Sequence, residues 1–291
     1  MNEVAISVIV PTRDRYAQLT RCLRALAATV RPEGGLEVIV VNDGGSPLPA
    51  PLDEEADGLA VRFIEQAGAG PAVARNAGAA AAGGHLLAFT DDDCEVAPGW
   101  LQVLERQLAA DPGSVVGGRV IPSHPENIWS AAGQLLIDHL YRWYNRDPGR
   151  ARFLMSNNLA MTAETFRDVG GFHTGFPTAA AEDREFAERA LRSGYGLVLA
   201  PEAVVLHDHR LTASAFLRQH HGYGRGAYRL NRIRSAAGGS MHIEPPRFYV
   251  DLLRAPLRED GRVLRLGALL AASQIAHITG FVREALAARR H

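Results

Sequence analysis

Short apolar runs alternate with stretches of helical periodicity along the first half of the chain. The clearest runs, at residues 6–10, 36–41 and 86–90, are nearly uninterrupted, as in strands that are buried on both faces of a parallel sheet. Residues 19–26 instead place apolar side chains at i, i+3, i+4 and i+7, which is the spacing of one helical face. This alternation predicts an α/β fold with a mostly parallel sheet covered by helices.

The same patterns predict the remaining elements. Further strands are predicted at residues 61–64, 115–120 and 203–206 and just after Asn158. Further helices are predicted at residues 68–81, 100–108, 128–143 and 182–191 and from residue 213 onwards. No shift in composition marks a linker, so we predict one α/β domain over residues 1–215 and a helical C-terminal extension over residues 216–291.

Polar clusters follow three of the predicted parallel strands. Thr12-Arg13-Asp14 follows the first strand, Asn42-Asp43-Gly44 the second, and Asp91-Asp92-Asp93 the fourth. In open α/β sheets, ligands bind beyond the carboxyl ends of the strands. We therefore expect these clusters to line one crevice.

The acid triplet at residues 91–93 indicates a cation site. Adjacent carboxylates repel one another by about 1 kcal/mol per close pair even in water, so a cation or a basic group is expected to neutralise them. Carboxylates are hard ligands that suit Mg²⁺ or Mn²⁺, and Mg²⁺ typically binds one or two of them together with substrate phosphates. We interpret the triplet as a metal-diphosphate site, with a solvated acidic turn as the alternative.

Two glycine-containing segments have weaker implications. Gly68-Ala69-Gly70 resembles the start of a dinucleotide-binding fingerprint, but Val73 takes the place of the third glycine and the segment follows the third strand, so NAD binding is not predicted. Residues 219–226 contain three glycines among basic and aromatic residues. They are interpreted either as a lid that closes over a diphosphate or as a helix surface interrupted by glycines.

Composition and charge narrow the partners and the compartment. The 31 basic and 32 acidic residues give a formal net charge of −1, which argues against a nucleic-acid partner. Two cysteines, Cys22 and Cys94, cannot form a disulfide framework, so a reducing compartment is expected. Residues 4–10 lack the flanks of an export signal, and we expect a cytoplasmic protein.

One stretch near the C-terminus is apolar enough to suggest a membrane. Residues 266–282 include the polar residues Ser273, Gln274 and His277. The segment is barely long enough to cross a bilayer, which requires a helix of roughly 20 apolar residues. We expect a helix that packs on the protein or lies at the inner face of a membrane, in preference to a spanning segment.

Taken in order, the motifs resemble those of the family 2 glycosyltransferases, which have the GT-A fold. The resemblance therefore implies an α/β fold with a Rossmann-like mixed sheet flanked by helices. The resemblance covers about residues 4–230 in the family's order and at its spacing. The matching stretches are Val8-Ile9-Val10-Pro11-Thr12-Arg13-Asp14-Arg15, Val40-Val41-Asn42-Asp43-Gly44, Gly70-Pro71-Ala72-Val73-Ala74-Arg75-Asn76-Ala77-Gly78, Phe89-Thr90-Asp91-Asp92-Asp93, Ser156-Asn157-Asn158, Gly170-Gly171-Phe172 and Ala181-Glu182-Asp183.

The resemblance implies a donor site in the first half of the domain, residues 1–115, and an acceptor half at 116–215. Thr12 and Asp43 would bind uracil or another base, and Arg75 would support the nucleotide end of the donor. Asp91 would contact the ribose or the donor sugar. The donor site would be completed by Pro11, Arg13, Asp92 and Asn157.

The resemblance also implies a metal and a catalytic base. Asp93 would bind Mn²⁺ or Mg²⁺ between the two phosphates. A histidine after the last strand often helps to hold the metal or the diphosphate; His207 and His209 both fit, and we prefer His207. In this family the aspartate of a Glu-Asp pair is the base, which is Asp183 here. One carboxylate suits a single displacement with inversion.

The expected function is therefore that of an inverting, metal-dependent glycosyltransferase. The donor would be a nucleotide-diphosphate sugar, with UDP-sugars first, and the acceptor a hydroxyl of a saccharide, a lipid-linked sugar or a secondary metabolite. A sugar-phosphate nucleotidyltransferase is an alternative, although it would require a glycine-rich loop where Thr12-Arg13-Asp14-Arg15 stands. A carbohydrate-binding protein without activity is a second alternative. The sequence does not predict an oligomeric state.

Overall fold

The protein is described here by a computed structural model that covers residues 5–48, 58–176, 178–259 and 261–289. Its strands are β1 (Ile6–Thr12), β2 (Leu36–Asp43), β3 (Ala60–Gln66), β4 (Leu86–Thr90), β5 (Cys94–Val96), β6 (Ser114–Pro122), β7 (Asn158–Thr162) and β8 (Gly196–His207). Its α-helices are α1 (Tyr16–Ala27), α2 (Pro71–Ala81), α3 (Trp100–Ala110), α4 (Ile128–Tyr144), α5 (Ala163–Val169), α6 (Glu182–Arg192), α7 (Ala213–Ala236), α8 (Pro246–Arg254) and α9 (Val263–Ala288).

The eight strands form one mixed sheet in the order β3-β2-β1-β4-β7-β6-β8-β5. The pairs β1–β2, β1–β4 and β2–β3 are parallel, whereas β7 runs antiparallel to β4 and β6, and β5 runs antiparallel to β8. The predicted mixed sheet is confirmed. Because β1, β2 and β4 are parallel, their carboxyl ends, with the three polar clusters, lie at one edge of the sheet.

Both faces of the parallel half are covered, and β1 is buried along its whole length. Alternate residues of β1 enter different cores, as the period of two requires. Val8 and Val10 pack in a cluster with Leu19 and Leu23 of α1, while Ile9 packs in a second cluster formed largely by the other face of the sheet. The helical face predicted at residues 19–26 is thus confirmed.

The chain divides into two compact units that interleave along the sequence. The sheet unit comprises Met1–Ile121, Asp147–Pro177 and Asp183–Asp208, and the helical unit comprises Pro122–Arg146, Thr178–Glu182 and His209–His291. The domain boundary expected at residues 215 and 216 stays a prediction.

The helical unit has a core of its own, formed by α4, α7, α8 and α9 around residues such as Phe216, Phe248 and Leu266. Two glycines bring α7 and α9 into close contact. A Cβ at Gly224 would overlap the backbone carbonyl of His277, and a Cβ at Gly280 would overlap that of His221. Residues 219–226 lie within the continuous helix α7, and Gly224 and Gly226 are buried in it. The segment is therefore helical, as one of the two interpretations required, and its role as a lid stays a prediction.

The apolar stretch at residues 266–282 lies within α9. Among the described helices, α9 is the one that is long and apolar enough to cross a membrane, and 28% of its most apolar window is buried inside the protein. Its buried side chains include Leu266, Leu270 and Ser273, which belong to or border the core of the helical unit. One side of this helix therefore packs on the helical unit, and its expected contact with a membrane stays a prediction.

Candidate active site

The acid triplet lies in the turn between β4 and β5, at the sheet edge where the parallel strands end. Its first member, Asp91, accepts a hydrogen bond of 2.7 Å from Nη2 of Arg75 on α2. The Arg75 side chain is 2% exposed, and its guanidinium lies 5.6 Å from the ring centroid of Phe172. Because a buried guanidinium requires a counter-charge, this ion pair fixes Asp91 in place.

Asp92 is the most deeply buried carboxylate of the triplet. It accepts hydrogen bonds from Oγ1 of Thr12 at 2.7 Å and from Nη1 of Arg15 at 3.2 Å. Burial raises the pKa of Asp92 to about 7; the charge of Arg15 opposes this shift, and the neighbouring carboxylate of Asp93 adds to it. The predicted donor residues Thr12 and Asp92 therefore contact each other at the ends of β1 and β4.

Asp93 joins the end of β4 to the end of β8. Its Oδ2 accepts a hydrogen bond from Nη1 of Arg15 at 2.7 Å, and its Oδ1 lies 3.3 Å from Nε2 of His207. The β5–β8 register pairs Cys94 with His207 and so sets the imidazole beside the carboxylate. Although burial disfavours the imidazolium, the hydrogen bond and charge of Asp93 raise the pKa of His207 above its ordinary value.

Three side chains at this point could provide ligand atoms for a cation. Asp93, Cys94 and His207 each place one such atom within 4.8 Å of the others. A carboxylate oxygen and an imidazole nitrogen fit Mn²⁺, and the carboxylate also fits Mg²⁺. Cys94 is a buried free thiol whose pKa is raised well above its usual value by burial, so it fits a neutral packing role better than a bond to a hard cation.

Arg15 is a site residue that sequence reasoning did not identify. Its side chain is half-exposed and pairs with both Asp92 and Asp93, which raise the pKa of its guanidinium despite partial burial. The sequence predicted that the triplet needs a basic group or a cation, and it carries Arg15 only three residues after the end of β1. The sequence therefore indicated that an arginine could neutralise the triplet, but which of the neighbouring arginines does so depends on the tertiary fold.

Asp43, the last residue of β2, has a separate hydrogen-bond network. Its carboxylate accepts hydrogen bonds from Nε2 of Gln66 at 2.6 Å and from the backbone N–H groups of Ala69 and Gly70, both at 2.8 Å. These bonds hold the turn that leads into α2. Its predicted contact with a nucleotide base stays a prediction.

Pro11 and Arg13 frame Thr12 but differ in environment. Pro11 is a buried residue of β1 that pairs with Val41 of β2. Arg13 is exposed, and its guanidinium lies beside Gly68 in the loop before α2. Their predicted roles in donor binding stay predictions.

Asn157 and Asn158, at the start of β7, have different environments. Asn158 accepts a hydrogen bond from Nε1 of Trp100 and donates one to the carbonyl of Ala203, both at 2.8 Å, so it ties the sheet together. Asn157 is 3% exposed, and its Oδ1 has no hydrogen-bond partner among the described residues. Most buried polar atoms have a hydrogen-bond partner, and one without a partner in the protein can instead bind a ligand. This favours Asn157 as a residue that contacts a ligand.

The Glu-Asp pair lies at the start of α6. Glu182 is buried, and its carboxylate accepts a hydrogen bond of 2.7 Å from the backbone N–H of Ala180. Asp183 is partly exposed, and its Oδ1 accepts a hydrogen bond from the backbone N–H of Arg184. Ala181 has a φ of 69°, a left-handed conformation that is uncommon for alanine. Of the two acids, Asp183 is thus the more accessible to a substrate.

The two histidines after the last strand lie in different units. His207 ends β8 in the sheet unit and faces Asp93, whereas His209 belongs to the helical unit, where its Nε2 lies 3.4 Å from Nε2 of Gln219. The geometry supports the choice of His207 for the cation.

The sequence of this chain is similar to those of known glycosyltransferases. Residues 7–181 match the model of the family described as glycosyl transferase family 2. Glycosyltransferase AglE of Haloferax volcanii is 25% identical over 209 residues, which cover 70% of this chain and 67% of that protein. Pre-mycofactocin glycosyltransferase of Mycobacterium tuberculosis is 28% identical over 232 residues, which cover 76% of this chain and 46% of that protein. The chain thus spans about half the length of the second relative.

Solved structures share the fold. The mannosyltransferase PcManGT of Pyrobaculum calidifontis, in complex with GDP-Man and Mn²⁺, superposes with a TM-score of 0.61 at 18% identity, covering 93% of this chain and 73% of that chain. TarS 1–349 of S. aureus, in complex with UDP-GlcNAc, superposes with a TM-score of 0.57 at 16% identity. The superposition covers 99% of this chain and 92% of that chain. The GT-A fold is confirmed. Since the family model matches more than half of the chain, this chain belongs to glycosyltransferase family 2.

Proposed function

We propose that this protein transfers a sugar, with inversion at the anomeric carbon, from a nucleotide-diphosphate sugar to an acceptor hydroxyl, and that transfer depends on Mn²⁺ or Mg²⁺. The observation that carries the proposal is the approach of His207 to Asp93 at 3.3 Å, beside a triplet of carboxylates at the carboxyl edge of the sheet. Paired acid and imidazole ligands at a sheet edge suit a cation that binds a diphosphate.

The side chains around the triplet would bind and orient the donor. Asp93 and His207 would hold the cation, which when bound neutralises the diphosphate and so stabilises it as a leaving group. The Arg75–Asp91 pair would present a fixed carboxylate to the ribose or the donor sugar. Asn157 would offer its unpartnered Oδ1 to a sugar hydroxyl.

Asp183 would act on the acceptor. A carboxylate in the first turn of α6 can accept the proton of the attacking hydroxyl, which must leave as the new glycosidic bond forms. The proton would end on Asp183 and the donor's electron pair on the diphosphate oxygen. A single base suits one displacement, and therefore inversion.

The proposal includes the identity of the donor and the class of the acceptor. We place UDP-sugars first, although the two fold neighbours above were solved with GDP-Man and with UDP-GlcNAc. A saccharide, a lipid-linked sugar and a secondary metabolite are the acceptor classes to test. Membership of a glycosyltransferase family makes the nucleotidyltransferase and the inactive carbohydrate-binding protein the weaker alternatives.

The test is a screen of nucleotide sugars for thermal stabilisation that requires Mn²⁺, followed by assay of the best donor. We expect Asp93→Ala to lose donor-dependent stabilisation, and Asp183→Asn to keep it while transfer falls by about 10²-fold or more. The control is Asp111→Asn, which alters an exposed aspartate after α3. Near-normal turnover by Asp183→Asn would remove the base assignment, and release of pyrophosphate in place of nucleoside diphosphate would favour a nucleotidyltransferase.

A further inference from the structure

Helix α9 carries an exposed apolar stripe along its whole length. Leu264, Ile275 and Ile278 are 88%, 64% and 60% exposed. At 100° per residue, these residues and four others fall within an arc of about 80° and extend over roughly 33 Å of helix. The α9 stripe consists of Leu264, Ala268, Ala271, Ile275, Ile278, Val282 and Leu286, all of them exposed.

The stripe is additional to the packing that holds α9 on the protein. The opposite side of the helix buries Leu266, Leu270 and Gly280 in the helical unit, where α9 meets α7. A contiguous apolar surface of this length on a folded protein marks an interaction site. In the same unit, α8 and the turn after it expose four more apolar side chains: Tyr249, Val250, Leu253 and Leu257.

The positive charge around the α9 stripe indicates which kind of partner binds it. Residues 209–291 contain 14 arginines and five acidic residues, a formal charge of +9 in a chain whose net charge is −1. Arg265 and Arg283 are exposed and lie 18 residues apart, five full turns, so both flank the same side of the stripe. Glu284 is the acidic residue of α9, and its carboxylate is paired with Arg225 and Arg229 of α7.

We propose that the α9 stripe docks on the surface of a bilayer that contains anionic phospholipids, with α9 lying in the plane of the interface. An apolar stripe flanked by arginines matches the acyl boundary and the headgroups of such a surface. The charge disfavours a second copy as the occupant, because two surfaces of the same positive sign repel. The proposal goes beyond the glycosyl-transfer function and requires neither donor nor cation.

The packing of α9 also distinguishes docking from spanning. To cross a bilayer, α9 would have to leave the close glycine contacts with α7 and carry Glu284 away from Arg225 and Arg229. An acidic side chain in the bilayer core costs about 2.5–3.5 kcal/mol on insertion scales. If α9 docks on the surface instead, all of these contacts are kept. Only the side chains of the α9 stripe, which are exposed to water in the free protein, enter the bilayer.

The experiment is flotation of the full chain with vesicles of phosphatidylcholine, with and without phosphatidylglycerol. We expect binding to the mixed vesicles only, and weaker binding as salt rises. Ile278→Glu should weaken binding by about tenfold or more, because a charge replaces an inserted side chain. Arg265→Gln and Arg283→Gln should each weaken it by about fivefold.

The matched control is Val30→Glu, the same kind of change at an exposed apolar residue of the sheet unit, which should bind vesicles like the wild type. Circular dichroism and Mn²⁺-dependent nucleotide binding should be unchanged in all variants, so the result is independent of the proposed function. Equal flotation of Ile278→Glu and wild type would overturn the proposal. So would a wild-type dimer that Ile278→Glu dissociates without any vesicle binding, or wild-type protein that resists extraction by alkaline carbonate, since the latter indicates a spanning helix.

Discussion

Asp92 is a residue of the candidate site whose negative charge destabilises the folded protein. It is buried, lies between two other carboxylates, and has a pKa raised to about 7. At pH 8 the folded protein must hold this carboxylate ionised where burial disfavours the charge, while the unfolded chain exposes it to water. Thr12 and Arg15 offset only part of that cost.

We therefore predict that Asp92→Asn raises the free energy of unfolding of the protein at pH 8 in a chelator by about 1–3 kcal/mol. The amide keeps an acceptor for Thr12 and removes the charge. Urea unfolding measures the change, and Asp111→Asn, at an exposed position, should stay within about 0.5 kcal/mol of the wild type. A loss of stability in Asp92→Asn would show that pairing with Arg15 outweighs desolvation.

At the scale of elements, the contact between α7 and α9 depends on residues without side chains. Gly280 faces the backbone of α7 directly, whereas a methyl group at Gly267 of the same helix would have no neighbour within 4 Å among the described residues. The two positions therefore form a matched pair: both are helical glycines, and only one lies at a helix–helix contact.

We predict that Gly280→Ala lowers the free energy of unfolding by about 2–3 kcal/mol, because the methyl group overlaps a backbone carbonyl that cannot move alone. Gly267→Ala should raise it by about 0.5–1 kcal/mol through helix propensity. Urea unfolding followed by circular dichroism compares the two variants. Equal effects of the two substitutions would contradict the close approach of α7 and α9.

His220 gives α7 a dependence on pH. Its ring is buried 4.3 Å from that of Phe216, and burial, with smaller effects of His277 and His209, lowers its pKa to about 4. A histidine whose folded pKa lies below its unfolded value of about 6.5 contributes stability above pH 6.5, and that stability is lost as pH falls towards 4.

The wild type should therefore lose up to about 1.4 kcal/mol of unfolding free energy per pH unit through His220 between pH 6.5 and 4. In His220→Gln this part of the slope should be absent, although the variant is less stable at neutral pH. Urea unfolding at pH 7.5 and pH 5 gives the difference between the two proteins. Parallel pH profiles of the two proteins would show that folding does not lower the pKa of His220.

Elements with a strong local pattern could be predicted from the sequence, and those that depend on distant partners could not. The apolar runs of β1, β2 and β4 and the periodicity of α1 are local, and all were confirmed. The three-residue strand β5 was not predicted, because it forms only by pairing with β8, more than 100 residues later. The strand predicted at residues 203–206 is the end of the longer β8.

At the scale of the whole molecule, the sequence predicted which residues would gather but not how they are paired. It identified the carboxylates, and the family resemblance left the cation role between His207 and His209, with a preference for His207. The pairing of Arg15 with Asp92 and Asp93, and the hydrogen bonds by which Asp43 holds the turn before α2, depend on the meeting of separate strand ends. The charge split between residues 209–291 and the rest of the chain was readable from composition, but its meaning requires the exposed α9 stripe.

The most direct test of the central claim is pulsed electron paramagnetic resonance of Mn²⁺ bound to the protein with the nucleotide sugar selected by the stabilisation screen. We predict that one Mn²⁺ shows coupling both to ³¹P of the diphosphate and to ¹⁴N of an imidazole. The ¹⁴N coupling should disappear in His207→Gln and persist in His209→Gln, and Asp93→Ala should not bind the ion. Bound nucleotide sugar without ³¹P coupling to Mn²⁺, or unchanged Mn²⁺ binding in Asp93→Ala, would contradict the account.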